Sequence, residues 1–119
     1  MVIIGKSNDI EPRTYHDGEK VRNADKRVLV GPRQGAPNFS MRKFTLGRGG
    51  CSPYHTHPWE HEVYILSGLG EVRFAGGGSQ DVEPGDYAFV PPNDEHQFAN
   101  RGDEPFEFLC MVPLEGEDG

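Results

Sequence analysis

Short apolar runs of four to eight residues recur along the chain between glycine- and proline-rich breaks, and within the runs inward and outward positions alternate with the period of two that strands have. Residues 26–31 (KRVLVG), 39–46 (FSMRKFTL), 69–75 (LGEVRFA), 80–83, 87–90 and 105–112 (PFEFLCMV) each read as a strand. Turn signals separate them: PRQGAP at 32–37, Ser67-Gly68, the glycines at 76–78, Pro84-Gly85-Asp86 and PPNDE at 91–95. A further strand starts at His96 in HQFAN, with His96, Phe98 and Asn100 on one face. In the last and most apolar run Phe106, Phe108, Cys110 and Val112 share one face and Leu109 and Met111 the other, so this strand is expected to be covered on both sides. Residues 2–10 (VIIGKSNDI) fit an edge strand or an arm that crosses to a partner subunit. Residues 11–18 read as a loop that leaves His16 in solvent, and the EGEDG tail as a solvated acidic end.

Composition agrees with strands joined by turns. Sixteen Gly and ten Pro disfavour a helical bundle and make the chain all-β, and 119 residues make one domain with a genuine core. No apolar run approaches the ~20 residues that cross a bilayer as a helix. Two cysteines, Cys51 and Cys110, are too few for a disulfide scaffold, and the amino end lacks the pattern of a secretion signal; a reducing cytoplasm is the expected setting. The net charge of −7 disfavours nucleic acid as a partner. It is uneven: residues 1–50 hold 10 Lys/Arg against 5 Asp/Glu, and the remainder 2 against 14, so the two halves are expected to meet in space.

Chemistry concentrates in residues 49–68, GGCSPYHTHPWEHEVYILSG. If 55–67 is mostly extended, His55, His57 and His61 share the inward face with Val63 and Ile65, while Glu60 and Glu62 point the other way unless a bulge near Pro58 resets the alternation. Three converging imidazoles bring six ring nitrogens that need partners when buried, and a metal ion satisfies them together. His96, on another strand, can point back at the first three. Arg42 lies on the face of Phe44 and Leu46, where it either binds an anionic substrate or pairs at the rim. Cys110 is an inert core thiol or, less simply, a redox group.

These residues resemble a known family. Gly49, His55, His57, His61 and Gly68 stand at the spacing of the first cupin motif, with His61 where that motif has glutamate. Gly85, Pro91, Asn93, His96 and Asn100 resemble the second, with Asn93 where glycine is usual. The strings HPWEHE, APNF and FLCMVP extend the likeness to the small four-histidine manganese cupins of thermophilic bacteria over nearly the whole chain. The resemblance implies an RmlC-like jelly-roll β-barrel of two antiparallel sheets, one cupin domain over 1–119 with its core barrel at about 26–113, and a homodimer with edge-strand exchange. It also implies a metal held by His55, His57, His61 and His96. Should Glu62 ligate in place of His61, the site becomes a three-histidine, one-carboxylate set.

One divalent transition metal is therefore expected, Mn first, then Fe or Ni, then Zn. Arg42, Phe44, Tyr54, Phe108 and Cys110 are the expected pocket lining, with Glu60, Glu62 and Asn100 as candidates to orient the rings. The leading expectation for function is a metal-dependent oxidoreductase, dioxygenase-like or peroxide-using, acting on a small organic substrate. A non-redox isomerase or lyase, and a metal-dependent binding module without catalysis, are the alternatives.

Overall fold

The computed structural model describes residues 1–117. The alternating runs form nine strands: β1 (Arg13–Tyr15), β2 (Arg22–Val30), β3 (Phe39–Cys51), β4 (His61–Ser67), β5 (Gly70–Phe74), β6 (Gly78–Val82), β7 (Tyr87–Val90), β8 (His96–Asn100) and β9 (Phe106–Pro113). Every pairing between them is antiparallel.

The order β6-β5-β8-β3-β9-β4-β7, with β2 and then β1 flanking β3, is a curled all-β jelly-roll barrel, as expected. The length of β3 makes it possible. Its first part pairs with β9 from Phe39↔Pro113 to Leu46↔Phe106, and its last residue, Cys51, pairs with Ala99 of β8. One strand thus serves both layers, and the two sheets join into a continuous one.

The core sits between the layers. Leu46, Ile65, Phe106, Phe108 and Val112 are almost wholly buried, each stabilising the fold by roughly 1.5–3 kcal/mol relative to exposure. Gly70 leaves the space that the Phe106 ring fills, since a Cβ there would overlap the ring. At Gly68 the backbone has φ 80° and lies against the Pro105 carbonyl, so the β4–β5 turn admits no side chain.

Several boundaries differ from expectation for physical reasons. The strand expected through 55–67 begins only at His61, and Thr56–Glu60 is irregular around Pro58, which has no N–H to give a ladder. β3 runs five residues past 46, to Cys51. The supposed loop at 11–18 contains β1, drawn into the sheet by β2 and by Thr14 Oγ1 donating to Asp25 Oδ1 at 2.8 Å. Residues 2–6 form no strand within the chain, and Val2, Ile3 and Ile4 are exposed. On β9 the expected inner face is buried, whereas Leu109 and Met111 are only half covered.

The uneven charge has its counterpart in contacts between the two halves: Lys26 and Arg42 with Glu117, Lys43 with Glu107, Arg48 with Asp103. No helix among the described residues is long and apolar enough to cross a membrane.

Candidate functional site

Three segments bring four histidines to one end of the barrel. The first is the irregular stretch after β3, laid along β8: Ser52 N–H donates to Phe98 O at 2.9 Å, His55 N–H to His96 O at 3.1 Å, and His96 N–H to His55 O at 3.0 Å. His55 and His96 are thereby fixed as neighbours across a two-residue bridge. The β7–β8 loop holds His57, through Asn93 N–H donating to His57 O at 2.7 Å. Asn93 has φ 71°, the left-handed backbone for which glycine is the usual choice and which Asn tolerates. His61 opens β4 on the buried face it shares with Val63 and Ile65, while Glu62 faces solvent. The parity expected of all three residues is real only for His61; backbone hydrogen bonds bring in His55 and His57.

Ring centroids lie 4.3 Å apart for His55 and His57, 4.9 Å for His55 and His96, 4.8 Å for His61 and His96, and 5.4 Å for His57 and His61. Trp59 stacks on the outer side of His57 at 4.7 Å. No three His, Cys, Asp or Glu side chains among the described residues meet as tightly as a bound ion draws its ligands. Three properties of the cluster nevertheless fit a divalent transition ion. His61 Nδ1 is buried without a hydrogen-bond partner, which a folded protein rarely leaves so. The rings are also held neutral, as ligands must be. Burial, with the charges of His57 and His96, lowers His55 to about 4; burial, with those of His96, His57, Arg42 and His55, lowers His61 to about 3. His57 falls through burial, His96 and Arg42, and His96 through burial, against the opposing pull of Asp94. Finally, His96 Nδ1 lies 2.9 Å from the Asp94 carbonyl, which can only accept, so in the neutral ring the lone pair is on Nε2.

The cluster opens on a cavity of about 370 Å³ lined by Tyr15, Val21, Ala24, Lys26, Arg42, Phe44, Ser52, Pro53, Trp59, Phe98, Cys110 and the 115–116 segment as well as the four histidines. Of the expected lining residues, Arg42, Phe44 and Cys110 are there. Phe108 stands behind them, stacked on Phe44 and Phe98 at 5.4 and 4.8 Å. Tyr54 turns outward and is exposed. Asn100 does not orient a ring; its amide donates to Leu46 O, Gly47 O and Glu104 O and holds the turn after β8. Glu60 and Glu62 are exposed, and His96 takes its partner from the Asp94 carbonyl instead. His16 is exposed and far from this role, accepting from Asn23 N–H.

Lys26 and Glu117 escaped the sequence reading. Lys26 lies between Ala24 and Val28 on the inner face of β2, and the same alternation that placed Arg42 inside would have placed it too. Glu117 belongs to the tail expected to be solvated, yet its side chain is wholly buried. Lys26 Nζ reaches Glu117 Oε2 at 2.9 Å and Arg42 reaches Oε1 at 3.1 Å. Ser40 Oγ donates to Val30 O at 2.8 Å and lies 3.2 Å from Oε1. The last two residues of that tail, 118 and 119, lie outside the described ones. Burial works to raise the Glu117 carboxyl and is outweighed by Lys26 and Arg42, which leave it lowered. Arg42 also donates to Cys110 O at 3.0 Å and to Cys110 Sγ at 3.2 Å. Burial raises the Cys110 thiol despite Arg42, so sulfur is neutral at pH 7 and Glu117 is the counter-charge.

Comparison with known proteins agrees with this architecture. The chain is 39% identical over 75 residues to 1-methylthio-D-xylulose 5-phosphate methylsulfurylase of Rhodospirillum rubrum, covering 63% of this chain and 47% of that one. It is 32% identical over 94 residues to glucose-6-phosphate isomerase of Pyrococcus horikoshii, covering 70% of this chain and 50% of the relative; it thus spans about half the length of these curated relatives. Among solved structures, the polyketide cyclase RemF from Streptomyces resistomycificus superposes with a TM-score of 0.86 at 26% identity, covering 96% of this chain and 80% of that one. Residues 42–112, more than half the chain and carrying all four clustered histidines, match the Cupin domain family, and the chain belongs to that family.

Proposed function

We propose that the chain is a metal-dependent cupin enzyme of the four-histidine type, acting on a small organic molecule in the barrel cavity. The observation that supports this most directly is the buried His61 Nδ1, partnerless amid three other neutral imidazoles at the cavity's edge. His55, His57, His61 and His96 would hold one divalent ion, Mn first, then Fe or Ni, then Zn. Bound there, the ion would supply a Lewis acid of undiminished double charge, since four neutral nitrogens cancel none of it.

The chain's own residues do the rest. Phe44, Phe98 and Trp59 give the cavity apolar walls that exclude water from the substrate's carbon skeleton. The Asp94 carbonyl fixes the proton of His96 on Nδ1. Arg42 and Lys26 set a positive field beside the rings. Relatives named as an isomerase and a cyclase favour non-redox chemistry at a carbonyl or enolate. The oxidoreductase reading is the second, favoured by an all-nitrogen donor set that suits Mn and Fe. The exposed Val2–Ile4 arm supports a homodimer in which it joins the partner's sheet edge, which the mass in solution tests.

The deciding experiment strips the metal and restores Mn, Fe or Zn. Turnover of a hydroxy-carbonyl substrate with Zn as well as Mn establishes the non-redox reading. Consumption of dioxygen or peroxide with Mn or Fe only establishes the other, and no metal uptake removes both.

A further inference from the structure

The barrel strands carry two buried cations whose counter-charge comes from outside the barrel. Lys26 (β2) and Arg42 (β3) have side chains only 6% and 7% exposed, and both line the cavity beside the histidines. The carboxylate between them belongs to the segment after β9, which leaves the sheet at Pro113, turns once through Leu114–Gly116 and inserts Glu117 from above. Its two oxygens are read separately, Oε2 by Lys26 and Oε1 by Arg42. Such a fork of two cations is a receptor for a planar carboxylate.

The segment's other contact is with the histidines' neighbour. Gly116 lies flat on Trp59, where a Cβ would stand 2.7 Å from the indole nitrogen, and Trp59 stacks on His57. Leu114 N–H donates to Asn38 O; beyond that point the Glu117 carboxylate and the Gly116–Trp59 contact are among the ties between the segment and the barrel.

We infer that Lys26 and Arg42 form an anion subsite for a carboxylate of the substrate, and that Glu117 is a resident carboxylate which the substrate displaces. The substrate is thereby a small carboxylic acid bound with its acid group on Arg42 and its remaining carbons toward the histidines. Displacement lifts the 114–117 segment off Trp59 and opens the cavity at the moment of binding. The inference deepens the proposed function and shares its cavity, but does not depend on its metal.

The test follows fluorescence of Trp59, the single tryptophan, while malonate is titrated into the full chain, first metal-free and then with Mn restored. Glu117→Gln is expected to tighten malonate binding about tenfold or more, because apparent affinity is reduced by the fraction of molecules whose subsite is free. Adding Arg42→Ala is expected to abolish that gain. Gly116→Ala, which wedges the segment off Trp59 with every charge retained, should shift affinity the same way, and it decides the matter if circular dichroism shows Glu117→Gln unfolded. Malonate affinity that is unchanged or weaker in the folded variant overturns the proposal, as does binding indifferent to Arg42→Ala. Inorganic phosphate binding more tightly than malonate overturns the carboxylate assignment. Arg42-dependent malonate binding without metal uptake keeps the subsite and removes the metal centre; metal uptake with Arg42-independent malonate binding does the reverse.

Discussion

The four histidines and the Lys26–Arg42–Glu117 cluster line the same cavity, yet their charges are dealt with in opposite ways. An imidazole can release its proton when buried, and all four do, which leaves lone pairs and a partnerless Nδ1 on His61. A guanidinium cannot. Arg42 stays charged in spite of burial, so the fold supplies a carboxylate to meet it. On the proposed reading one region would take a cation from solution, whereas the other has taken an anion from its own chain. Buried polar groups thus show what a site will accept, provided one asks which of them could have neutralised themselves.

The largest expected effect breaks the first half of this comparison. His96→Ala or His57→Ala should take metal content from near one ion per chain to near none by elemental analysis, with the barrel still folded by circular dichroism. Full occupancy in both variants would mean that the cluster is no metal site. The second half is broken by Glu117→Ala, which strands Lys26 and Arg42 and should cost about 3–5 kcal/mol in urea denaturation. A loss below about 1 kcal/mol would make the pair a screened surface contact, contrary to its burial.

Two smaller effects sharpen the contrast. His61→Leu in the metal-free protein should change stability by no more than about 1 kcal/mol, or raise it, because it replaces an unsatisfied buried nitrogen by carbon. A large loss there would reveal a partner for that ring. On acidification, unfolded histidines bind protons from pH 6.5 downward, whereas folded His55 and His61 resist to about 4 and about 3. The unfolded state then holds more protons, so metal-free stability should fall continuously from pH 6.5 toward 4. Glu117, whose carboxyl is lowered from 4.5, adds its own loss only below that value. A stability curve flat between pH 7 and 5 would contradict the buried neutral rings. Smallest of all, Glu62→Ala should leave metal content unchanged, since its side chain faces solvent; a loss equal to that of His96→Ala would make Glu62 a ligand.

Much of this molecule follows from local pattern. Alternation and turn residues place β7 and β8 at their observed limits and give β4 its inward His61, Val63 and Ile65. The four histidines are legible as a set through the resemblance to the two cupin motifs, and the alternation along β4 accounts for His61 among them. The all-β class and the meeting of oppositely charged halves are likewise properties of the sequence.

Tertiary structure decided the rest. No periodicity says that Thr56–Glu60 leaves the strand, or that hydrogen bonds from β8 and Asn93, rather than a shared strand face, aim His55 and His57. Nor does an acidic, glycine-rich tail announce that one of its carboxylates is buried. Glu117 is inside where Lys26 and Arg42, distant in sequence but near one another across β2 and β3, leave an excess of positive charge that its carboxylate meets. Backbone preference and side-chain alternation act over a few residues and are written in the sequence; a buried charge is balanced by whatever the completed fold brings within reach.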